Sequence, residues 1–224
     1  MINSAKVWLH SAPLPFMVTL AFFGLMVHGA QSHAASLSVQ ITDSAGLPVE
    51  DAAVYAESVL GEPKQKSTHP AEIAQRKRQF VPLVTVVQAG TEISFPNYDS
   101  VKHHVYSFSP AKQFDQPLYS GKVASPQLFD KVGTVVLGCN IHDKMIAYVQ
   151  VVNTPYFAKT DATGKVKLDG LTPGQYVLKV WHYSLPVLDQ VVAQAVTVKD
   201  GDNSAAFKIK AIKKPVAPLN SNSY

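Results

Sequence analysis

The chain has 224 residues, of which 46% are hydrophobic and 16% are charged, and its formal net charge is +4. These values exclude a disordered chain, because the apolar content is sufficient to bury a core in one or two domains. They also argue against nucleic-acid binding, because the basic run Arg76-Lys77-Arg78 is too short for the cationic footprint that such binding needs. We interpret this run as a solvated strand or turn face. The single cysteine excludes an internal disulfide.

The first 34 residues have the pattern of an export signal. Lys6 precedes an apolar run over residues 13–27, and Ser32-His33-Ala34 supplies the small residues that a signal peptidase recognises. We expect cleavage after Ala34, with Gly29 as the next choice and an uncleaved anchor as the alternative. The apolar run is short and interrupted, so we expect a periplasmic protein without a stable membrane span after cleavage.

The rest of the chain alternates short apolar runs with turn residues, which predicts an all-β protein built of β-sandwiches. Leu37, Val39 and Ile41 alternate with polar residues, as a half-buried strand should. Residues 71–80 fit either a short helix or an edge strand, and residues 110–130 are expected to form a long loop. Further strands are predicted from residue 53, over 81–87, 92–95, 105–109, 132–137 and 146–152, and around 176–180, 196–198 and 207–209.

One loop, residues 138–145, carries most of the recognisable chemistry. Cys139, His142 and Met145 follow one another at three-residue intervals, and their thiolate, imidazole and thioether donors suit copper better than magnesium, calcium or manganese. Copper electron-transfer sites combine two imidazoles, one cysteine sulfur and a weak axial methionine, so a second histidine is needed. The best source is His103 or His104, of which only one can face the ion because neighbouring strand residues point to opposite faces. The alternative is that Cys139 is simply a small buried hydrophobe.

On these motifs, residues 86–151 resemble a cupredoxin, the small blue-copper fold of plastocyanin and amicyanin. The resemblance covers the FPN strand end at 95–97, the histidine that begins the following strand, and the CxxHxxM loop, which has the short amicyanin spacing. It implies a Greek-key β-sandwich that holds one type 1 copper ion and passes single electrons between redox partner proteins. The ligands it implies are His103, Cys139, His142 and Met145.

Two residues depart from the cupredoxin pattern. His104 stands where many cupredoxins carry an asparagine that hydrogen-bonds near the cysteine sulfur. Gly138 stands where plastocyanins have a tyrosine used in partner contact. The first departure bears on the hydrogen bonding of the thiolate, and hence on the redox potential.

The flanks resemble a second family. Residues 160–180 follow the pattern TDxxGxxxxxGLxPGxYxLxV, and residues 39–54 supply a matching first half, as in carboxypeptidase regulatory-like (prealbumin-like) sandwiches. The copper segment separates these halves, so we expect it to be inserted in, or packed with, the second sandwich; the arrangement resembles bacterial proteins labelled methylamine utilization protein. The predicted parts are a signal peptide (1–34), the first part of the regulatory-like sandwich (35–62), the cupredoxin domain (63–153), the second part (154–212) and a disordered tail (213–224).

Three functions remain open from the sequence: electron carriage, copper delivery through the same ligands, and an accessory β-sandwich that binds glycan or protein. Catalysis is not expected, because a multicopper oxidase or copper nitrite reductase typically has a histidine beside the cysteine. Gly138 and Asn140 flank Cys139 instead. We expect Asp161 and Asp169 to cap turns.

Overall fold

The structure is a computed structural model that describes residues 34–61, 70–121 and 125–210. Every regular element in these ranges is a strand, which confirms the all-β class. None of the described residues belongs to a helix that could span a membrane. The predicted tail and all of the predicted signal segment except Ala34 lie outside the described residues. The strands are β1 (Ala35–Thr42), β2 (Ala53–Ser58), β3 (Ala71–Glu72), β4 (Ala74–Arg76), β5 (Gln79–Val81), β6 (Val84–Gln88), β7 (Thr91–Ser94), β8 (His103–Ser109), β9 (Lys112–Tyr119), β10 (Gln127–Phe129), β11 (Gly133–Gly138), β12 (Ile146–Val152), β13 (Phe157–Lys159), β14 (Lys165–Leu171), β15 (Gly174–Trp181), β16 (Val192–Val198) and β17 (Asp202–Lys208).

One hydrophobic core lies between two sheets drawn from both ends of the described chain. The sheets have the strand orders β14-β1-β17 and β13-β2-β15-β16. The alternation along β1 buries Leu37, Val39 and Ile41, which join Leu178 and Val180 of β15 in this core. Apolar side chains at every second position on facing sheets are what a β-sandwich requires.

A second core is formed by the strands between residues 71 and 152. Its sheets have the orders β6-β12-β11-β8-β9 and β10-β7-β3. Leu137 and Val149 from the larger sheet meet Ile93 and Phe129 from the smaller one. One core is thus formed by this continuous segment, and the other is formed by the strands before and after it. The exact domain bounds stay predictions.

The expectation of a loop over residues 110–130 is wrong. Much of this segment forms β9 and β10, and β9 lies at the edge of its sheet, paired only with β8. An edge strand is half-exposed and tolerates Pro117, so it lacks the apolar alternation that identifies a buried strand. Residues 71–80 form β3, β4 and the first two residues of β5, and no helix.

A third, smaller cluster connects strands of the two cores. Trp181 at the end of β15 is fully buried against Ala53 of β2 and Val84 of β6. The indole Nε1–H donates to the carbonyl of Leu188 at 2.6 Å, so its polar atom is satisfied. The ring of Tyr148, on β12, stacks on Tyr183 with centroids 5.0 Å apart. The strand that leaves the cysteine loop therefore packs directly on the other core's strand end.

His182 lies in this junction and is almost entirely buried. Its Nε2–H donates to the carbonyl of Glu50 at 3.1 Å, and its Nδ1 accepts from the backbone N–H of Ser184 at 3.1 Å. Burial disfavours the imidazolium and lowers the pKa of His182 to about 4, although the Glu50 carbonyl and Asp51 oppose this effect. Both ring nitrogens are therefore used by the neutral form.

Replacing His182 with glutamine is expected to make stability less sensitive to acid. The pKa of His182 is 6.5 in the unfolded chain and about 4 in the folded one. As the pH falls from 6.5 towards 4, the unfolded chain therefore gains a proton that the folded protein does not bind, and the folded state loses stability. The full loss is about 3 kcal/mol. Urea unfolding of both proteins at pH 7 and pH 4.5 measures it: His182→Gln should lose less stability between the two values. Equal losses would contradict the assignment.

Candidate metal centre

The order of the strands brings the two predicted ligand segments to one end of the larger sheet of the second core. β11 and β12 are antiparallel neighbours joined by the cysteine loop, and β8 pairs with β11 through Tyr106 and Gly138. His103 is the first residue of β8, and Cys139 directly follows β11. The start of one strand and the end of its antiparallel neighbour lie side by side, so these side chains can converge without a helix.

Three of the four predicted donors lie together. Nδ1 of His103 is 3.2 Å from Nδ1 of His142, which is 3.8 Å from Sγ of Cys139. The three donor atoms all lie within 4.8 Å of one another. His103 is fully buried, Cys139 is 4% exposed and His142 is half-buried. Within the described residues, this is the one group of three or more histidine, cysteine or carboxylate side chains spaced to hold a metal ion.

These separations fit a single small ion between the donors. Two imidazole nitrogens at roughly 2.0 Å from one ion, at a tetrahedral angle, are about 3.3 Å apart, and a sulfur at roughly 2.3 Å lies about 3.5 Å from each nitrogen. The His103–His142 separation agrees with the first value, and the Cys139–His142 separation is slightly longer than the second. The donor set of one sulfur and two imidazoles suits copper, and it suits zinc in a tetrahedral site.

Met145 supplies the remaining predicted donor from the end of the same loop. Its backbone N–H donates to the carbonyl of His142 at 2.8 Å, which closes a turn. Its side chain is 1% exposed and belongs to the same hydrophobic cluster as Cys139. A fully buried methionine in the same cluster as the cysteine is able to supply a weak thioether ligand.

Asp99 is a site residue that sequence reasoning missed. Its Oδ2 lies 2.8 Å from Nε2 of His103, on the side of the ring away from the other donors. Partial burial opposes its charge, but hydrogen bonds from the Arg78 N–H, from His103 and from the Lys77 N–H outweigh this and lower the pKa of Asp99. An ionised Asp99 accepts a hydrogen bond from Nε2–H and so keeps the proton of His103 on that nitrogen. This leaves the lone pair of Nδ1 facing Cys139 and His142.

Asn97 shapes the loop that carries Asp99 and leads into His103. Its Nδ2 donates to the carbonyls of Val101 at 2.8 Å and Tyr119 at 3.0 Å. Its Oδ1 accepts from the backbone N–H of Asp99 at 2.9 Å. The buried Asn97 side chain therefore makes hydrogen bonds to three backbone groups, and it holds the loop between β7 and β8 in one conformation.

His142 is the donor nearest to solvent. Burial lowers its pKa, the charges of His103 and Arg78 lower it further, and only Asp99 opposes them. The neutral imidazole, which is the form that binds metal, is therefore favoured.

His104 takes no part in the three-donor group. Its Nε2 lies 2.5 Å from Oδ1 of Asp115 on the edge strand β9, and its ring is 5.4 Å from that of Tyr106. Its Nδ1 is buried without a hydrogen-bond partner in the described part of the chain. His103 and His104 therefore make separate contacts, the first with Asp99 and His142 and the second with β9.

Gly138 leaves space for an aromatic ring from the neighbouring strand. A Cβ atom at this position would lie 2.7 Å from Cζ of Tyr106. The ring of Tyr106 therefore covers the backbone next to Cys139, and any side chain at residue 138 would displace it. The ring of Phe108, which is 76% exposed, lies next to Tyr106, with the two ring centroids 5.1 Å apart.

The other predicted carboxylates serve structure. Oδ1 of Asp161 accepts from the backbone N–H groups of Thr163 and Lys165, which caps the turn before β14. The expectation that Asp169 caps a turn is wrong: it lies within β14 and forms an exposed ion pair with Lys167 at 3.1 Å.

No family model matches the chain, and no curated protein matches it. Among solved structures, it is similar to a purple cupredoxin from Nitrosopumilus maritimus (22% identity, TM-score 0.33, 37% of this chain and 99% of that one). It is also similar to a mutant of amicyanin in its reduced Cu(I) form at pH 4 (18%, 0.35, 39% and 87%) and to the Cu-containing nitrite reductase from Thermus scotoductus SA-01 (17%, 0.35, 50% and 28%). At these scores the chemistry has to be derived from the donor atoms of the site.

Proposed function

We propose that this chain is a periplasmic carrier of single electrons, with one copper ion held by His103, Cys139, His142 and Met145. The observation that carries the proposal is the convergence of one thiol and two imidazole nitrogens within 4.8 Å, at the end of a five-stranded sheet. Copper bound by one thiolate, two imidazoles and a weak thioether supplies one-electron chemistry.

The residues of this chain would hold the donors in place during such a reaction. Hydrogen-bonded strands fix His103 and Cys139, and the Asp99 carboxylate keeps the proton of His103 on Nε2. Burial of Cys139 and Met145 excludes water from the sulfur side of the site. A donor set that cannot rearrange suits electron transfer, because little reorganisation accompanies the change of charge.

His142 would be the point of electron entry and exit. It is the donor that reaches the surface, and Ile141 and Ile146 beside it are 49% and 40% exposed. A partially exposed imidazole within an apolar surface allows a partner to approach closely without leaving a charge unpaired. The carrier role, rather than catalysis, is proposed because Gly138 and Asn140 flank Cys139, where a second copper centre would need a histidine.

Visible and EPR spectra of the Cu(II)-loaded protein test this proposal. We expect an intense thiolate-to-copper absorption band with narrow copper hyperfine splitting, and we expect Cys139→Ser to abolish it, because a hydroxyl cannot replace the thiolate as a soft donor. The control is His182→Gln, which removes a buried histidine outside the three-donor group and should retain the band. A colourless wild-type protein, or a spectrum that Cys139→Ser leaves unchanged, would sink the proposal.

Copper delivery through the same donors is the second candidate, favoured by the partial exposure of His142. A delivery protein should release Cu(I) rapidly to an excess of the chelator bathocuproine. A carrier with four protein donors should release it slowly and retain its thiolate band through repeated oxidation and reduction.

A further inference from the structure

The turn between β4 and β5 has an unusual sequence for its geometry. Arg76 pairs with Gln79 across a two-residue connection, and Lys77 and Arg78 both have positive φ angles, 52° and 57°. Two-residue hairpin loops with φ positive at both positions strongly prefer Asn-Gly, because a Cβ atom is disfavoured there. Lysine and arginine therefore occupy this turn against the local steric preference. Such a departure is expected where the side chains have a role.

The turn is attached directly to the candidate metal centre. The backbone N–H groups of Lys77 and Arg78 donate to the Asp99 carboxylate at 2.6 and 2.8 Å, and the same carboxylate binds His103. The guanidinium of Arg76 lies 3.8 Å from the centroid of the Tyr98 ring, which is a close cation–π contact. Backbone bonds from Gln75 to Pro96 and from Tyr98 to Gln75 complete the attachment.

Positive charge predominates around the exposed edge of His142. Arg76, Lys77 and Arg78 are all exposed. Their turn is joined to His142 through Asp99 and His103, whose Nδ1 lies 3.2 Å from Nδ1 of His142. Two more exposed lysines flank the ligands in sequence, Lys102 before His103 and Lys144 after His142. The nearby carboxylate of Asp99 is already used by two N–H groups and His103. The opposing charges that remain are exposed Asp143 in the cysteine loop and exposed Glu72, which accepts from the Tyr98 hydroxyl at 3.4 Å.

We infer that the cationic turn, Arg76-Lys77-Arg78, docks an acidic face of a partner redox protein against His142. This rests on the electron-carrier function proposed above. The occupant is a protein rather than a small anion because the cations border exposed apolar side chains, Tyr98, Val101 and Ile141. An apolar centre with a charged rim is the usual composition of a transient protein interface. Complementary charge on the rim acts mainly by steering the encounter, so its effect is on the association rate.

The double variant Lys77→Asn/Arg78→Gly removes both charges and installs the sequence that the turn prefers. It keeps both backbone N–H groups that donate to Asp99, so the fold and the thiolate band serve as checks that the site is intact. The matched control is Lys208→Gln/Lys210→Gln, which removes two exposed lysines at and just after β17, in the other core's sheet. The redox potentials of the copper-loaded wild type, turn variant and control variant are measured first. The driving force of each electron-transfer reaction is then known.

The measurement is stopped-flow reduction by ferrous cytochrome b5, an acidic haem protein, and by ferrous cytochrome c, a basic one. In each reaction one electron leaves Fe(II) and reduces Cu(II) to Cu(I), and no bond forms or breaks. At about 10 mM ionic strength we expect the turn variant to react with cytochrome b5 about tenfold more slowly than wild type and the control. The difference should vanish near 1 M salt, and the variant should gain rate with cytochrome c.

Each result decides one question. Equal rates with cytochrome b5 for the turn variant and wild type would overturn the docking inference, as would an equal loss in the control variant. A wild-type protein without a thiolate band would instead refute the electron-carrier proposal before any rate is compared.

Discussion

Replacing Gly164 with alanine is expected to cost about 4 kcal/mol of unfolding free energy, the largest effect of any single substitution proposed for this chain. A Cβ atom at Gly164 would lie 2.4 Å from the backbone oxygen of Ile41 and 3.0 Å from the backbone nitrogen of Val49. Neither is the end of a flexible side chain, so the turn or β1 would have to move. The positive φ angle of 72° adds the steric cost of a left-handed residue.

The chain contains a matched control for this substitution. Asp43 and Asp161 each begin an Asp-x-x-Gly turn in which Oδ1 accepts from the N–H groups two and four residues later. Gly46 in the first turn has a φ of 84°, but no atom lies within 4 Å of a Cβ built there. Gly46→Ala should therefore cost only about 1 kcal/mol. The difference between the two variants in unfolding free energy, measured with urea, gives the cost of the steric clash at Gly164. Equal losses in the two variants would contradict this explanation.

The turn at Gly164 also shows why the core around β1 and β15 could be predicted from sequence. The loop is fixed locally by Asp161 and Thr163, and it makes a backbone contact with β1, where the Ile41 N–H donates to the Gly164 carbonyl at 2.8 Å. The strand that follows the turn, β14, and its neighbour β1 bury alternate residues, so period-two patterning and turn residues both predict the same structure. Where local signals agree in this way, as in β1 and β15, sequence alone predicts the strands.

The same reasoning failed at β9. Its residues alternate only between half-buried and exposed, because the strand has one neighbour and covers the edge of the core. Residue types along it therefore carry little hydrophobic signal, and the Pro117 that argues against a central strand is tolerated at an edge. What defines β9 is pairing with β8, which is a tertiary property.

The residues of the candidate site also fall into two groups, those that local sequence identifies and those that only tertiary contacts identify. Cys139, His142 and Met145 lie within one short loop, so their spacing was readable from the sequence. Asp99 was not identified, although it lies four residues before His103, because its other partners are the N–H groups of Lys77 and Arg78. Backbone groups carry no residue signature, and only the folded chain brings that turn to Asp99. The same contact changes the interpretation of Arg76-Lys77-Arg78 from a solvated strand or turn face to part of the site's surroundings.

Removing the Asp99 carboxylate is the second large effect that we expect. Asp99→Ala should weaken copper binding by about 10- to 100-fold, the usual cost of losing a carboxylate that orients a histidine ligand. Without it, the proton of His103 is free to move to Nδ1, which would block the lone pair that faces His142. The N–H groups of Lys77 and Arg78 also lose their acceptor, so the adjoining turn loosens. Competition with a chelator of known affinity measures the change.

Asp143→Ala is the control for charge alone. Asp143 is exposed and neighbours His142, so its removal changes the net charge at the site by the same amount without touching the proton of His103. We expect this variant to bind copper within about threefold of wild type, since exposed charges in water interact weakly. Asp99→Asn should fall between the two alanine variants, because its amide oxygen can still accept from Nε2–H but carries no full charge. If Asp99→Ala binds copper as tightly as Asp143→Ala, His103 is held by its strand alone, and the role assigned to the carboxylate is wrong.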